Sequence, residues 1–200
     1  MSLTTYAELK ASILDWLNRD DIDAAPFVTL AEADLATDVE HWRREKRATA
    51  TAGSRYLELP SDFHRPIRFH VKDAKDPLQP MSQNEMAHRR AEVRDTTGTP
   101  CHYVLTGGEI ELFPTPAEAL TVEMSYSAII PALSDSNTSN WLLERFPNAY
   151  LYGALKHTSG YLREDGRAQL WAAYYQASID AIRTDSRAAK WGGNLRIRSN

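Results

Sequence analysis

The sequence predicts an α+β fold in which helices from the two ends of the chain form one bundle and a β-rich lobe is inserted between them. Three observations predict it. Apolar residues recur at helical spacing from the start to about Trp42, and again from about Asn140. Between those stretches the period falls to two, β-branched and aromatic residues become frequent, and glycine turns appear. The 200 residues suit one domain with an inserted subdomain, and a core that size needs no metal or disulfide to hold it. The boundaries read as 1–45 and 139–190 for the bundle and 46–138 for the lobe, with a tail over 191–200.

Each element has its own signal. Thr5 and Glu8 have capping-box spacing, and Leu9, Ile13, Trp16 and Leu17 follow on one helical face. Pro26 suits a first helical turn, where its missing N–H costs nothing. The amphipathic pattern after it, from Phe27 to about Trp42, predicts a second helix, and the short linker makes an antiparallel helical hairpin the default. RATATAGSRYLEL (47–59) alternates around a turn at Gly53-Ser54, and RPIRFHVK (65–72) reads as a further strand. Ser82 and Glu85 make a second capping box, flanked by Met81 and Met86 at staple positions, for a short helix near 82–92. CHYVLT and EIELF form a hairpin through Gly107-Gly108, and ALTVEMSYSAI (119–129) is one more strand. Ser139 or Asn140 caps a short helix that Pro147 ends. Helices over roughly 147–163 and 165–189 follow.

Composition excludes several classes. The net charge is −4, so the chain as a whole is not built to coat nucleic acid. One cysteine, Cys101, permits no internal disulfide and points to a reducing compartment. MSLTTYAELK lacks a basic region followed by an apolar run, and no window reaches the ~20 apolar residues of a membrane helix. Cytoplasmic synthesis and no membrane partner are expected.

No motif carries catalysis or a cofactor. His64 and His70 could share a strand face, but no third ligand has zinc-site spacing. Cys101 and His102 are adjacent, which on a strand puts them on opposite faces, so Cys101 reads as a small buried residue at a strand start. P-loop, nucleophile-elbow, HExxH and EF-hand patterns are absent from the sequence. The expected metal and cofactor content is none.

Two features point to assembly instead. SNWLLERFPNAYLYGAL (139–155) is apolar all round. In the last helix, Leu170, Ala173, Tyr174, Ala177 and Ala181 form one stripe, and Trp171, Tyr175, Ile179 and Ile182 an adjacent one. Together these exceed the roughly 100° of a helix that packs on one side. The second feature is the end of the chain, where Arg183, Arg187, Lys190, Arg196 and Arg198 face only Asp185. With Trp191 as an anchor and Gly192-Gly193 as a hinge, this reads as an arm that orders against an acidic partner.

TYAELKASILDWLNRDDID, ATATAGSRYLELPSDF, ELFPTPAEALTVEMSYSAIIPALSDSNTSNWLLERFPNAYLYGAL and EDGRAQLWAAYYQASIDAI together resemble bacteriophage head–tail adaptor (connector) proteins over nearly the whole chain. The resemblance implies a virion neck component without enzymatic activity. It implies a homo-oligomeric ring, typically of twelve copies, assembled from free monomers on the portal protein. A tail or nozzle protein attaches below, and genomic DNA passes through the channel without specific binding. It also implies that a C-terminal extension grips the portal. The candidate portal or neighbour contacts are Trp141, Phe146, Tyr150, Trp171, Tyr175, Trp191, Arg196 and Arg198.

Two other readings compete. One is a DNA-packaging accessory that binds nucleic acid through the basic tail and the Arg43-Arg44/Lys46-Arg47 cluster. The other is an enzyme with His64, His70 or His102 in the lobe.

Overall fold

The computed structural model describes residues 3–93, 96–162 and 165–191. In chain order the elements are α1 (Tyr6–Leu17), α2 (Ala25–Asp38), a 3-10 turn (Trp42–Arg44), β1 (Glu45–Ala52), β2 (Tyr56–Glu58), β3 (Phe63–Val71) and β4 (Gln79–Pro80). Then come α3 (Gln83–Val93), β5 (Thr97–Gly98), β6 (His102–Thr106), β7 (Glu109–Phe113), β8 (Thr115–Pro116) and β9 (Leu120–Ala128). The chain closes with α4 (Trp141–Arg145), α5 (Pro147–Leu162) and α6 (Asp165–Trp191). The mix of α and β, with helices at both ends, is the expected class. The chain divides into a helical unit, up to Trp42 and from Ile130 onward, and a β unit, Arg43–Ile129.

In the helical unit, the Thr5 hydroxyl accepts from Glu8 N at 3.3 Å and the Glu8 carboxylate accepts from Thr5 N at 3.0 Å. Two of the four free N–H groups at the start of α1 are thereby satisfied. Asn18 ends the helix in the left-handed region at φ 50°, a conformation asparagine tolerates better than most residues. The α2 helix has Pro26 in its first turn as predicted; its N-cap, Ala24, offers no capping side chain, and Asp23, not singled out in the sequence, accepts from Ala25 N at 2.9 Å. It stops at Asp38, short of the predicted Trp42. The main partner of α2 is α5 rather than α1, so the expected α1–α2 hairpin is not the organising pair.

The helix α5 lies at the centre of the unit, packing on α1, α2, α4 and α6. Ala149, Tyr150, Leu151, Ala154 and Leu155 are buried in one cluster with Leu9, Ile13, Val28, Ala31, Leu35, Ile179 and Ile182. Burial of each Leu or Ile contributes roughly 1.5–3 kcal/mol. Gly153 permits the closest approach, since a Cβ there would lie 3.1 Å from Ala31 Cβ and 3.3 Å from the Tyr175 ring. The all-round apolar character of 147–155 is therefore met within the chain. Residues 130–138, read as the end of the lobe, cluster with the helices: Leu133 is buried in their core and its N–H donates to Glu32 at 2.7 Å.

The β unit holds a three-stranded sheet in the order β1-β9-β3 and a four-stranded sheet in the order β2-β7-β6-β4. A small pair, β5-β8, completes it. The predicted turn at Gly53-Ser54 does not make a hairpin; the chain passes there from one sheet to the other. The hairpin at Gly107-Gly108 forms as read, with Gly107 at φ 62°. Phe69, Val71, Val122, Met124 and Tyr126 from the first sheet share a core with Leu57, Tyr103, Ile110 and Leu112 from the second. The start of α3 is capped by the Ser82 hydroxyl, which accepts from Glu85 N at 3.2 Å. Met86 packs with Val104 and Phe113, with Met81 alongside.

Candidate assembly surface

In α6 the two predicted stripes separate cleanly. Trp171, Tyr175, Ile179 and Ile182 face inward and are buried. Leu170, Ala173, Tyr174, Ala177 and Ala181 face solvent. The inner stripe is the bulkier one, and that difference was the signal available in the sequence: large side chains fill a core, whereas alanines leave room for a second backbone.

Beside the outer stripe lies an apolar groove of about 320 Å³, lined chiefly by Phe146, Pro147, Tyr152, Tyr174, Ala177 and Ala181. Its origin is Pro147. The chain leaves helical geometry at Phe146 (φ −132°, ψ 58°) and re-enters it at Pro147, which places both residues on the groove wall opposite α6. The groove is bordered by aromatic rings in mutual contact: Trp16 meets Trp171 edge-on at 5.4 Å, and Tyr152 lies 5.2 Å from Tyr174. Trp16, read from the sequence as part of the inward face of α1, is 44% exposed, and Tyr174 is 43% exposed.

One end of the groove is fixed by charge. Arg145 donates to one oxygen of Asp185 at 2.8 Å, and His41 Nε2 lies 2.9 Å from the other. The Arg145 hydrogen bond, with that of His41, holds the Asp185 carboxyl below the usual range. His41 stacks on Trp141, with centroids 5.0 Å apart, and meets the edge of Phe146 at 5.8 Å. Tyr175 donates its hydroxyl to Asp38 at 2.9 Å under the Lys156 ammonium, 3.7 Å from the ring. Burial, with Asp38 beside it, pushes the Tyr175 hydroxyl far above its ordinary range.

The predicted contact residues thus fall into different places. Tyr150, Trp171 and Tyr175 are corrections: each is buried in the core of its own chain, because α5 and α6 need bulk where they meet. Trp141 is partly buried around His41, and Phe146 lines the groove. Trp191 is 82% exposed at the end of α6. Arg196, Arg198 and the rest of the tail from residue 192 lie outside the described residues. A second apolar patch was not read from the sequence. Tyr161 stands 66% exposed with its ring 5.7 Å from Phe27, and Leu30 on α2 is 47% exposed.

In the β unit, Cys101 is exposed and its sulfur lies 3.0 Å from His102 Nδ1, contrary to the expected buried thiol on the opposite face. Strand alternation does not apply, because Cys101 precedes β6. Burial, with Arg89 nearby, keeps the His102 imidazole below its ordinary pKa. Among the described residues, no group of three or more His, Cys, Asp or Glu side chains converges as metal ligands would, and no helix is long and apolar enough to cross a membrane.

The family model described as SU10 adaptor protein matches residues 4–198. No curated protein matches the chain.

Proposed function

The chain belongs to the SU10 adaptor protein family and so is a phage adaptor protein; from that premise we propose that it assembles beneath the portal as a ring, the state expected when identical subunits close through a heterologous interface, with the twelve copies that the resemblance to head–tail adaptors implies. The ring forms the platform for the tail and surrounds the path of the genome. The role is structural, with no reaction and no cofactor, and its place is the virion neck.

The observation that carries this reading is the outer face of α6 with its groove. Tyr174, Ala177 and Ala181 form an apolar strip on a helix whose other face already fills the core. A closed ring uses a heterologous interface, so each copy needs two different faces. The groove beside α6 and the Leu30–Tyr161 patch are two such faces, carried by different helices. The groove is assigned to a neighbouring copy. The basic tail, with Trp191 at its root, is assigned to the portal.

Light scattering after size exclusion, on the chain alone and mixed with its portal, tests the proposal. A monomer that becomes a portal-bound ring of many copies is expected. Tyr174→Glu and Ala177→Glu should leave the monomer folded and prevent ring closure. Deleting residues 188–200 should leave the fold intact and weaken portal binding. A wild-type chain that ignores the portal would overturn the reading.

A further inference from the structure

The solvent face of the three-stranded sheet has a composition unlike the rest of the surface. Residues directly opposite each other in an antiparallel pair share a face, so the register defines rows across it. One row is Arg47–Ser125–Arg68. The next row toward the β1 start is Glu45–Ser127–Arg65, and in the other direction comes Thr49–Glu123–His70. Thr51 and Thr121 follow, and Lys72 continues that row by donating its N–H to the Thr121 carbonyl at 2.8 Å.

Arg47, Arg68 and Lys72 are exposed, and none of the three has an ion-pair partner among the described residues. Glu45 and Arg65 offset each other within their row. Glu123, beside His70, is the acid that remains. The basic run 43–47 is dispersed by the fold: Arg44 is buried and donates to the Ala128 carbonyl at 2.9 Å, and Lys46 pairs with Asp62 at 2.6 Å. Of these, Arg47 is the one the sheet presents on this face.

We infer that this sheet face is a contact surface for the sugar-phosphate backbone of duplex DNA. Charge complementarity is the first argument. Arg47 and Arg68 stand on the two outer strands, roughly 10 Å apart, on either side of a strand whose outward side chains here are the short hydroxyls of Ser125 and Ser127. Guanidinium forks and Ser hydroxyls are the groups that bind phosphate oxygens. The second argument is what the face lacks. Ile67, extruded at the β3 bulge, is the one large apolar residue exposed within the strands of this sheet, and Ile129 follows the end of β9. Protein-binding surfaces share the arginines but are enriched in aromatic residues and depleted in serine and lysine, so the two serines and Lys72 fit a phosphate backbone better than an acidic protein. With Glu45 and Glu123 on the same face, the contact is weak and independent of base sequence. A contact of that kind lets DNA slide. The inference does not rest on ring formation, because one copy presents the whole face.

The test is fluorescence anisotropy of a labelled 30-base-pair duplex of mixed sequence, titrated with the full-length chain over a salt series. Arg47→Gln/Arg68→Gln is compared with Arg196→Gln/Arg198→Gln and with Arg187→Gln, and circular dichroism confirms the fold of each. Wild type should bind at low salt, with log K falling linearly against log salt. The sheet variant should bind roughly tenfold more weakly, with a slope smaller by about 2, one for each lost phosphate contact. The other two variants should retain the wild-type slope to within about 1. No binding by wild type at low salt would overturn the inference. So would an unchanged sheet variant, which would place any binding in the tail. Competition by polyglutamate as effective as by unlabelled duplex would assign the face to an acidic protein instead.

Discussion

Asn140 Nδ2 donates to the hydroxyl of Tyr150 at 2.8 Å inside the helical unit. The same amide donates to the Pro131 carbonyl at 2.8 Å, while its oxygen accepts from Leu142 N at 3.1 Å and Leu143 N at 2.9 Å. One buried side chain therefore caps α4, fixes the incoming linker and anchors the central helix. Asn140→Ala would remove the cap and leave a buried carbonyl and hydroxyl without this partner. The loss should be about 2–4 kcal/mol, the sum of a cap and an unsatisfied polar group. Urea unfolding measures it. A loss below about 1 kcal/mol, the worth of a cap alone, would show that water replaces the amide.

Gly153 tests the closeness of α5 to its neighbours. Alanine would gain up to about 1 kcal/mol in helix propensity. Its Cβ would meet Ala31 Cβ at 3.1 Å, and overpacking typically costs about 1–3 kcal/mol. Gly153→Ala should therefore lower the melting temperature. Repeating it in an Ala31→Gly background removes the nearest obstacle and should shrink the loss or reverse it. Equal losses in the two backgrounds would mean that the Tyr175 ring, not Ala31, sets the spacing.

Arg90 ties α3 to the sheet beneath it. Its Nε meets Glu111 at 2.8 Å, one Nη donates to the Leu112 carbonyl at 2.6 Å, and the other donates to Thr115 at 3.1 Å. Arg55 shares the same carboxylate at 2.7 Å. Arg90→Ala should cost about 3 kcal/mol, the low end for breaking a buried pair, because Glu111 keeps Arg55 while the Leu112 carbonyl loses its side-chain donor. Arg90→Ala/Glu111→Leu should recover part of that loss, which a double-mutant cycle reads directly. Additive losses would deny the coupling.

Three aspartates give stability a defined acid limb. Burial raises the Asp34 carboxyl, but hydrogen bonds from Lys156 and His157 outweigh it and hold it below the usual range. Lys46 and then Tyr126 hold Asp62 down, and Arg145 and then His41 hold Asp185 down. Carboxyls depressed on folding contribute stability that is present above their unfolded pKa, about 3.9, and is lost as pH falls through their folded values. Asp34→Asn should therefore be less stable than wild type at about pH 7 and converge with it toward about pH 2. A constant gap across that range would assign the effect to shape rather than charge.

Much of this was legible in residue order. The Thr5–Glu8 capping box, the Ser82 cap, the proline at the start of α2, the Gly107-Gly108 hairpin and the Pro147 break are local signals, set by backbone groups within a few residues of one another. The α+β class followed from the change of period. The existence of two apolar stripes on α6 was legible for the same reason, since 3.6-residue periodicity is a property of one helix.

Side-chain bulk was the one sequence signal for which stripe faces inward, and the tertiary structure decided it. Tyr150, Trp171 and Tyr175 were read as portal or neighbour contacts and are buried in the core of their own chain, because burial depends on what α5 and α6 meet in the bundle. The Arg47–Ser125–Arg68 row has the same origin: its members lie far apart in the chain, and strand pairing brings them together. The sequence by itself determined the longer elements, through short-range hydrogen bonding and periodicity, but not every end: α2 stops at Asp38 rather than Trp42, and the two-residue strands β4, β5 and β8 had no local signal. The tertiary structure decided which faces those elements leave for a partner, because exposure is set by the whole packing around a residue.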